Sequence, residues 1–188
     1  RRPPVEDYMI NDKRRQLAVT VIAAISVFVN TMDYSMLNIS LPAVSKHFHV
    51  NLVSIGWLPL IYLLIVTSSL LGFGKLGDIR GYKPIFILGL GIFTVGTFLC
   101  GMAPTMSYLL AFRAFQSIGE AMSSPIAIAI ITSYLPPNIR GRALGVVALA
   151  QGLGFAAGSV IGGYINAHFI WRAIFFVNIP IVIATILA

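Results

Sequence analysis

Long apolar runs dominate the chain and break at intervals on short polar clusters. Nearly uncharged stretches lie at about residues 17–39, 52–73, 85–103, 107–134 and 143–167, and a sixth opens near Ala173. A hydrocarbon core of about 30 Å is crossed by a helix of about 20 apolar residues, so each run predicts one spanning helix. The connections "PAVSKHFHVN", "GKLGDIRGYKP", "APTM" and "LPPNIRGR" are short. Short connections make sequential helices antiparallel neighbours. The pattern predicts an all-α membrane protein built as a six-helix transmembrane bundle. Pro136 and Pro137 end the fourth helix, because neither donates to the hydrogen-bond ladder. Residues 1–16 show no apolar periodicity and read as a cytoplasmic tail, with residues 17–188 as the six-helix domain. The sixth run reaches Ala188 without a cap or polar flank and the first residue is not Met, so the chain reads as a piece of a longer one.

Composition agrees. Hydrophobic residues make up 57% of the chain and charged ones 10%, against roughly 25% charged in a soluble domain. The mean hydropathy is +0.88. The first run is too long for a signal peptide and lacks a small-residue cleavage site. A net charge of +7 would suggest nucleic acid in a soluble protein, but its placement gives another reason for it. Lys13, Arg14, Arg15, Lys75, Arg80, Lys83, Arg140 and Arg142 precede the first, third or fifth run, whereas the alternate loops hold Lys46 and Arg172. The positive-inside rule then sets the N-terminus in the cytoplasm, with the chain multi-pass in the cell membrane and no nucleic-acid partner. The single cysteine, Cys100, excludes a disulfide framework and reads as a small packing residue. No metal spacing or cofactor motif is present.

Three ionisable residues interrupt the apolar runs: Asp33 in the first, Arg113 and Glu120 in the fourth. A carboxylate at mid-bilayer costs about 2.5–3.5 kcal/mol even on an insertion scale, so such residues are candidates for function. Arg113 and Glu120 are two helical turns apart, about 10 Å, on one face. Both are expected to face one cavity. If Asp33 faces it too, the guanidinium compensates one carboxylate and leaves the other free to take a proton. Burial and a neighbouring cation shift a carboxyl group in opposite directions, so a site with both can exchange a proton against a cationic substrate. The alternative is a static ion pair that fixes helix register. Asn30, three residues before Asp33, is a candidate hydrogen-bond partner for it, and Gln116 stands similarly to Arg113. Met32, Tyr34, Met36, Trp57, Tyr62 and Met122 are candidate lining residues, because aromatic rings and thioethers tolerate varied ligands. Tyr34 and Met36 stand out as neighbours of Asp33. In the fifth run, Ala150, Gly154, Gly158 and Gly162 recur every four residues, with Gly163 beside the last. They predict a groove for close approach by another helix.

A weak internal similarity relates residues 17–100 to 107–188, each with a polar-bearing span, a Gly-rich span and an arginine close to the next helix. Three helices repeated must be inverted in the membrane. The stretch "GKLGDIRGYKP" resembles the loop motif between the second and third helices of the major facilitator superfamily through Gly74, Asp78, Gly81 and Lys83. Ile79 stands in the usual arginine slot, with Arg80 one place later. "LLAFRAFQSIGEAM" resembles the family's fourth-helix motif through Arg113, Gln116 and Gly119, with Glu120 in a slot normally small. "GFAAGSVIGG" resembles the fifth-helix antiporter motif, with Ser159 where proline is usual. "DYSMLNISLP" is similar to the first-helix signature of drug:proton antiporters, and "WRAIFFVNIP" to the sixth-helix start of their fourteen-helix branch.

The resemblance implies the N-terminal six-helix half of a major facilitator fold, two inverted three-helix repeats, acting as a proton-coupled multidrug efflux transporter. Taken with the residue chemistry above, it makes Asp33, Glu120 and Arg113 the expected proton-coupling residues and Asn30, Tyr34, Met36 and Gln116 the expected substrate contacts, with small hydrophobic or cationic compounds, the bilayer and a C-terminal half as partners. Gly74, Asp78, Arg80, Gly81, Lys83 and Arg140 form the cytoplasmic gate in this reading, with Asp78 accepting from Arg140 or a helix N-terminus. Gly154, Gly158, Gly162 and Gly163 form the antiporter packing motif. The proton gradient supplies the energy, without a cofactor. A metabolite or sugar transporter, or a non-transporting receptor or scaffold, remain alternatives. An enzyme is disfavoured because His47, His49 and His168 are expected in external loops, away from the intramembrane charges.

Overall fold

The computed structural model describes residues 12–187, and residues 1–11 of the tail expected over residues 1–16 lie outside the described residues. Six helices follow one another: α1 (Lys13–Phe48), α2 (Leu52–Arg80), α3 (Tyr82–Met102), α4 (Met106–Tyr134), α5 (Pro137–His168) and α6 (Ala173–Leu187). The first five are long and apolar enough to cross a membrane, and α6 is an apolar helix of 15 residues over its described length.

Several helix ends differ from the sequence expectation. α1 starts inside the expected tail, because the Asp12 carboxylate accepts from the Arg14 amide at 3.0 Å and caps the first turn. At its other end the expected loop 42–51 is helical as far as Phe48, with Pro42 inside the helix and His49 closing it in the left-handed region, φ 53°. Lys46 and His47 lie in that last turn, where the helix dipole favours positive charge. The loop expected over residues 74–84 shrinks to one residue. α2 runs through Arg80, α3 begins at Tyr82, and Gly81 between them has φ 92° and ψ 145°. That region is open essentially to glycine alone. Pro137 starts α5 at its first position, where a missing amide costs nothing.

The most extensive helix contacts are α1 on α5, α3 on α4, and α2 on α4. If α1–α3 are matched to α4–α6, the α1–α5 pairing maps onto α4–α2, as two inverted three-helix repeats require. The α1–α5 seam is built on glycine. A Cβ at Gly158 would stand 2.5 Å from the Met32 carbonyl oxygen, and one at Gly162 would stand 3.0 Å from Met36 Cα. At Gly154 it would collide with Phe28 O and Thr31 Oγ1. Both helices step by four residues along the seam, so they run parallel with their backbones in contact. Gly163 is a correction: nothing lies within 4 Å of a Cβ there, because it sits one residue round from the seam. Ser159, in the slot expected to hold proline, places its hydroxyl 2.8 Å from that of Ser35 and adds a polar tie to the same seam.

Two apolar clusters fill the bundle. One gathers Val27, Phe93, Ile126 and Leu135, and the other Met36, Leu58, Leu109 and Phe175. On α1, α3, α4 and α6 the residues between the two clusters include Asp33, Thr97, Arg113, Gln116 and Asn178, so a polar layer crosses a largely apolar interior.

Candidate functional site

The polar layer centres on one ion pair. Arg113 Nη1 lies 2.5 Å from Asp33 Oδ2, with side chains 0% and 2% exposed. Asp33 Oδ1 accepts from Gln116 Nε2 at 3.2 Å and from Asn178 Nδ2 at 3.0 Å. Gln116 Oε1 in turn accepts from Arg113 Nη1 at 2.6 Å, and its amide donates to Thr97 Oγ1 at 2.7 Å. Four helices are thereby joined through one carboxylate and one glutamine. Each placement follows from local structure: Arg113 and Gln116 are neighbours on α4 at i, i+3, while Gly96 lets α3 approach so closely that a Cβ there would stand 2.6 Å from Gln116 Cα. A buried pair repays its desolvation only when its remaining hydrogen-bonding capacity is met; both oxygens of Asp33 are satisfied, whereas Arg113 Nε and Nη2 are left to the face of the Tyr62 ring. The Cys100 thiol contributes a weak contact to Gln116 Oε1 at 3.8 Å.

The guanidinium of Arg113 lies 3.9 Å from the centroid of the Tyr62 ring, and its Nε and Nη2 have no hydrogen-bond partner. Tyr62 forms the wall between the ion pair and a cavity of about 270 Å³, lined by Asn30, Thr31, Tyr34, Tyr62, Leu63, Val66, Glu120, Gln151 and Phe155. The Tyr34 and Tyr62 rings lie with centroids 6.1 Å apart at 33°. Three buried polar groups of this wall lack partners: both amide atoms of Asn30, the Tyr62 hydroxyl and Glu120 Oε2. Each unmet group costs about 1–3 kcal/mol, and a ligand that met them would recover that cost. A larger cavity of about 650 Å³ lies among α1, α3, α4 and α6. Its walls are apolar apart from Lys83, Tyr134 and Thr185, and none of the unpartnered buried polar groups lines it, so the smaller cavity is the candidate site.

Asn30, Tyr34 and Glu120 line this cavity, as the sequence suggests, but four expectations change. Asn30 does not partner Asp33; Gln116 and Asn178 do. Arg113 does not share a cavity with Glu120, since it turns behind Tyr62 to reach Asp33. Met36 is fully buried under Gly162, and Gln116 is buried in the polar layer, so neither lines the cavity. Asn178 and Thr97 were not among the residues expected at the site. Asn178 carries the same signal that marked Asp33, a polar residue within an apolar run, whereas Thr97 carries none, because threonines commonly bond their own helix. Tyr62 belongs where it was expected, but Trp57 is 54% exposed and Met122 packs in the core.

At the α2–α3 junction, Asp78 accepts from the Tyr82 hydroxyl rather than from Arg140. Arg140 Nε instead donates to the Leu135 carbonyl at 2.7 Å and closes the end of α4. The two expected partners thus satisfy their own helix junctions. Gly74 has nothing within 4 Å of a Cβ, and the close glycine is Gly77, 3.0 Å from Tyr82 Cδ1 and 3.2 Å from Ile126. Arg80 and Lys83 are exposed. At the opposite end, Arg172 stacks over Trp171, donates to Ala103 O at 2.8 Å and lies 3.2 Å from His47 Nε2. His47 and His168 are in the last turns of α1 and α5 rather than in loops, and His49 caps α1. None of the three reaches the polar layer.

A family model described as Major Facilitator Superfamily matches residues 23–188. The chain is 40% identical over 168 residues to the riboflavin transporter RibZ of Clostridioides difficile (strain 630), covering 89% of this chain and 37% of that protein. It is 31% identical over 165 residues to the tetracenomycin C resistance and export protein of Streptomyces glaucescens, covering 88% of this chain and 31% of the relative. To multidrug resistance protein 3 of Bacillus subtilis (strain 168) it is 38% identical over 126 residues, 67% of this chain and 25% of the relative. The chain thus spans about a third of the length of such relatives. The solved structure of a bacterial homologue of the human lysosomal transporter Spinster, inward-facing and unoccupied, superposes with a TM-score of 0.78 at 21% identity, covering 94% of this chain and 42% of that one. A bundle of inverted repeats, a family match over most of its length and relatives named as transporters rather than enzymes lead to one assignment: the chain belongs to the Major Facilitator Superfamily.

Proposed function

We propose that residues 17–188 form the N-terminal six-helix half of a proton-coupled multidrug efflux transporter, which exchanges protons for hydrophobic or cationic compounds by alternating access. The observation that carries this reading is the unlike treatment of two intramembrane carboxylates. Asp33 is held by Arg113, Gln116 and Asn178, whereas Glu120 presents a buried, unpartnered Oε2 to an aromatic cavity. A bare carboxylate in a low dielectric must be neutralised, by a proton or by a cation. Glu120 takes the proton when the cavity is empty and yields it when substrate arrives. Either neutral form lets the helices rearrange, which couples the two fluxes. The Asp33–Arg113 pair supports the cavity wall through Tyr62 and transmits its state to α6.

In this reading Gly74, Asp78, Arg80, Gly81, Lys83 and Arg140 belong to the cytoplasmic gate, with the Asp78–Tyr82 contact as one of its closed states. The exposed apolar faces of α2 and α5 meet lipid and the second half of the transporter. The protein lies in the cytoplasmic membrane with its N-terminus inside, and the proton gradient drives it without a cofactor. The test is ethidium-driven proton flux in proteoliposomes holding the full-length protein. Wild type exchanges, and Glu120→Gln binds ethidium but moves no protons; full coupled exchange in that variant would defeat the reading. A second reading is supported by the 40% identical riboflavin transporter: a carrier for one planar metabolite. Acceptance of several unrelated compounds favours efflux of many drugs, and strict selectivity favours the single metabolite.

A further inference from the structure

We propose that the Asn30 end of the cavity recognises a planar, uncharged ring carrying a lactam or imide edge, an N–H beside a C=O. This rests on the reading of the cavity as the substrate site and names the class of substrate that the site selects. Asn30 is 3% exposed, lines the cavity, and has neither Nδ2 nor Oδ1 in a hydrogen bond. A carboxamide presents a donor and an acceptor side by side, and its complement is the same pair reversed. A lactam or imide supplies it: the ring N–H donates to Asn30 Oδ1, and Asn30 Nδ2 donates to the ring carbonyl. A hydroxyl or an amine holds its donor and acceptor on one atom, which cannot align with both Asn30 Nδ2 and Oδ1 at once as two adjacent atoms can.

The neighbouring side chains set the ring and its charge. Tyr34 and Tyr62 flank the same cavity with their rings 6.1 Å apart at 33°, an arrangement that a flat ring can extend by offset stacking. One face of Tyr62 is already covered by the Arg113 guanidinium at 3.9 Å. A second cation brought to this ring would stand beside the first, so the Asn30 end favours a neutral group. The Tyr62 hydroxyl, also unpartnered, is a further donor or acceptor for a polar substituent on the ring. Glu120, on α4, leaves its Oε2 for a proton or for a positive group at another part of the substrate.

The experiment measures binding of two fluorescent probes, 1,8-naphthalimide and N-methyl-1,8-naphthalimide, to the purified full-length protein, with ethidium alongside. The two imides differ by the one N–H that Asn30 Oδ1 would accept, and the methyl group also blocks approach. Wild type binds the parent imide about tenfold more tightly than the methylated one, as the loss of one well-made hydrogen bond requires. In Asn30→Leu that preference disappears. Equal affinity of wild type for both imides, with ethidium binding retained, would overturn the inference and leave the transport reading intact. Failure of all three to bind would remove both, because the cavity would then not be a substrate site. The wild-type comparison stands even if the variant does not fold.

Discussion

Arg113 reaches Asp33 across 80 residues of chain, and the two meet at 2.5 Å in a layer sealed above and below by apolar clusters. The pair is the point where α1 and α4, the first helices of the two repeats, are tied. Removing one member leaves an unpaired buried charge, which costs about 3–5 kcal/mol, whereas replacing both by apolar residues of similar volume is often nearly neutral. Asp33→Leu and Arg113→Met should therefore each lower thermal stability sharply in detergent, and the double variant should recover most of the loss. Single variants as stable as wild type would show that the pair is not desolvated as the structure has it.

Gln116 and Asn178 donate to the same Asp33 oxygen, Oδ1. Loss of one donor leaves the other in place, so Asn178→Leu should cost about 1–3 kcal/mol. Gln116→Leu should cost more, because that side chain also serves Arg113 and Thr97. Residues sharing a partner are not additive. Unfolding midpoints for the two singles and the double variant check this, and strict additivity would mean that the donors act independently.

The elements of this layer were unequally visible in the sequence. Asp33, Arg113 and Glu120 announce themselves because charge in an apolar run has a large cost, and the Gly154, Gly158, Gly162 series does so by its period. The pairing of Arg113 with Asp33 rather than with a cavity shared with Glu120 was not legible, since periodicity places a residue on a helix face but does not show which helix lies across from it. Asn30 illustrates the same limit: its face is right, yet α4 and α6 supply the donors to Asp33 first and leave Asn30 to the cavity. The helix ends were missed for a different reason. Polar residues at 13–16 and 42–48 continue a helix when a cap such as Asp12 or His49 exists beyond them, and hydropathy alone stops too early.

The α2–α3 junction offers a double-mutant test. Asp78 takes its hydrogen bond from Tyr82, four residues on and across the single-residue turn at Gly81, while Arg140 caps α4. In the conformation described, the coupling energy of Asp78→Asn with Tyr82→Phe should be about 0.5–1.5 kcal/mol. The coupling of Asp78→Asn with Arg140→Gln should fall within about 0.5 kcal/mol of zero. Thermal unfolding of the two cycles measures both, and a large Asp78–Arg140 coupling would indicate that another state, with that pair closed, dominates in solution.

The glycine seam separates packing from mere composition. Gly158 and Gly163 are five residues apart on α5 and both belong to the motif read from the sequence, but only Gly158 faces α1. A Cβ at 158 would stand 2.5 Å from the Met32 carbonyl, an atom of the backbone that no rotamer change can move aside. Gly158→Ala should therefore separate α1 from α5 locally and destabilise the protein by about 1–3 kcal/mol, the usual cost of overpacking. Gly163→Ala meets open space and gains helix propensity, so its effect should be neutral or stabilising by up to about 1 kcal/mol. Because α1 carries Asp33 and Asn30, the displacement at 158 should also weaken probe binding in the cavity, whereas the change at 163 should not. Paired measurements of melting temperature and ethidium affinity decide it: equal effects at the two positions would mean that the seam is not closed as described, and an effect confined to stability would mean that the position of α1 does not set the site.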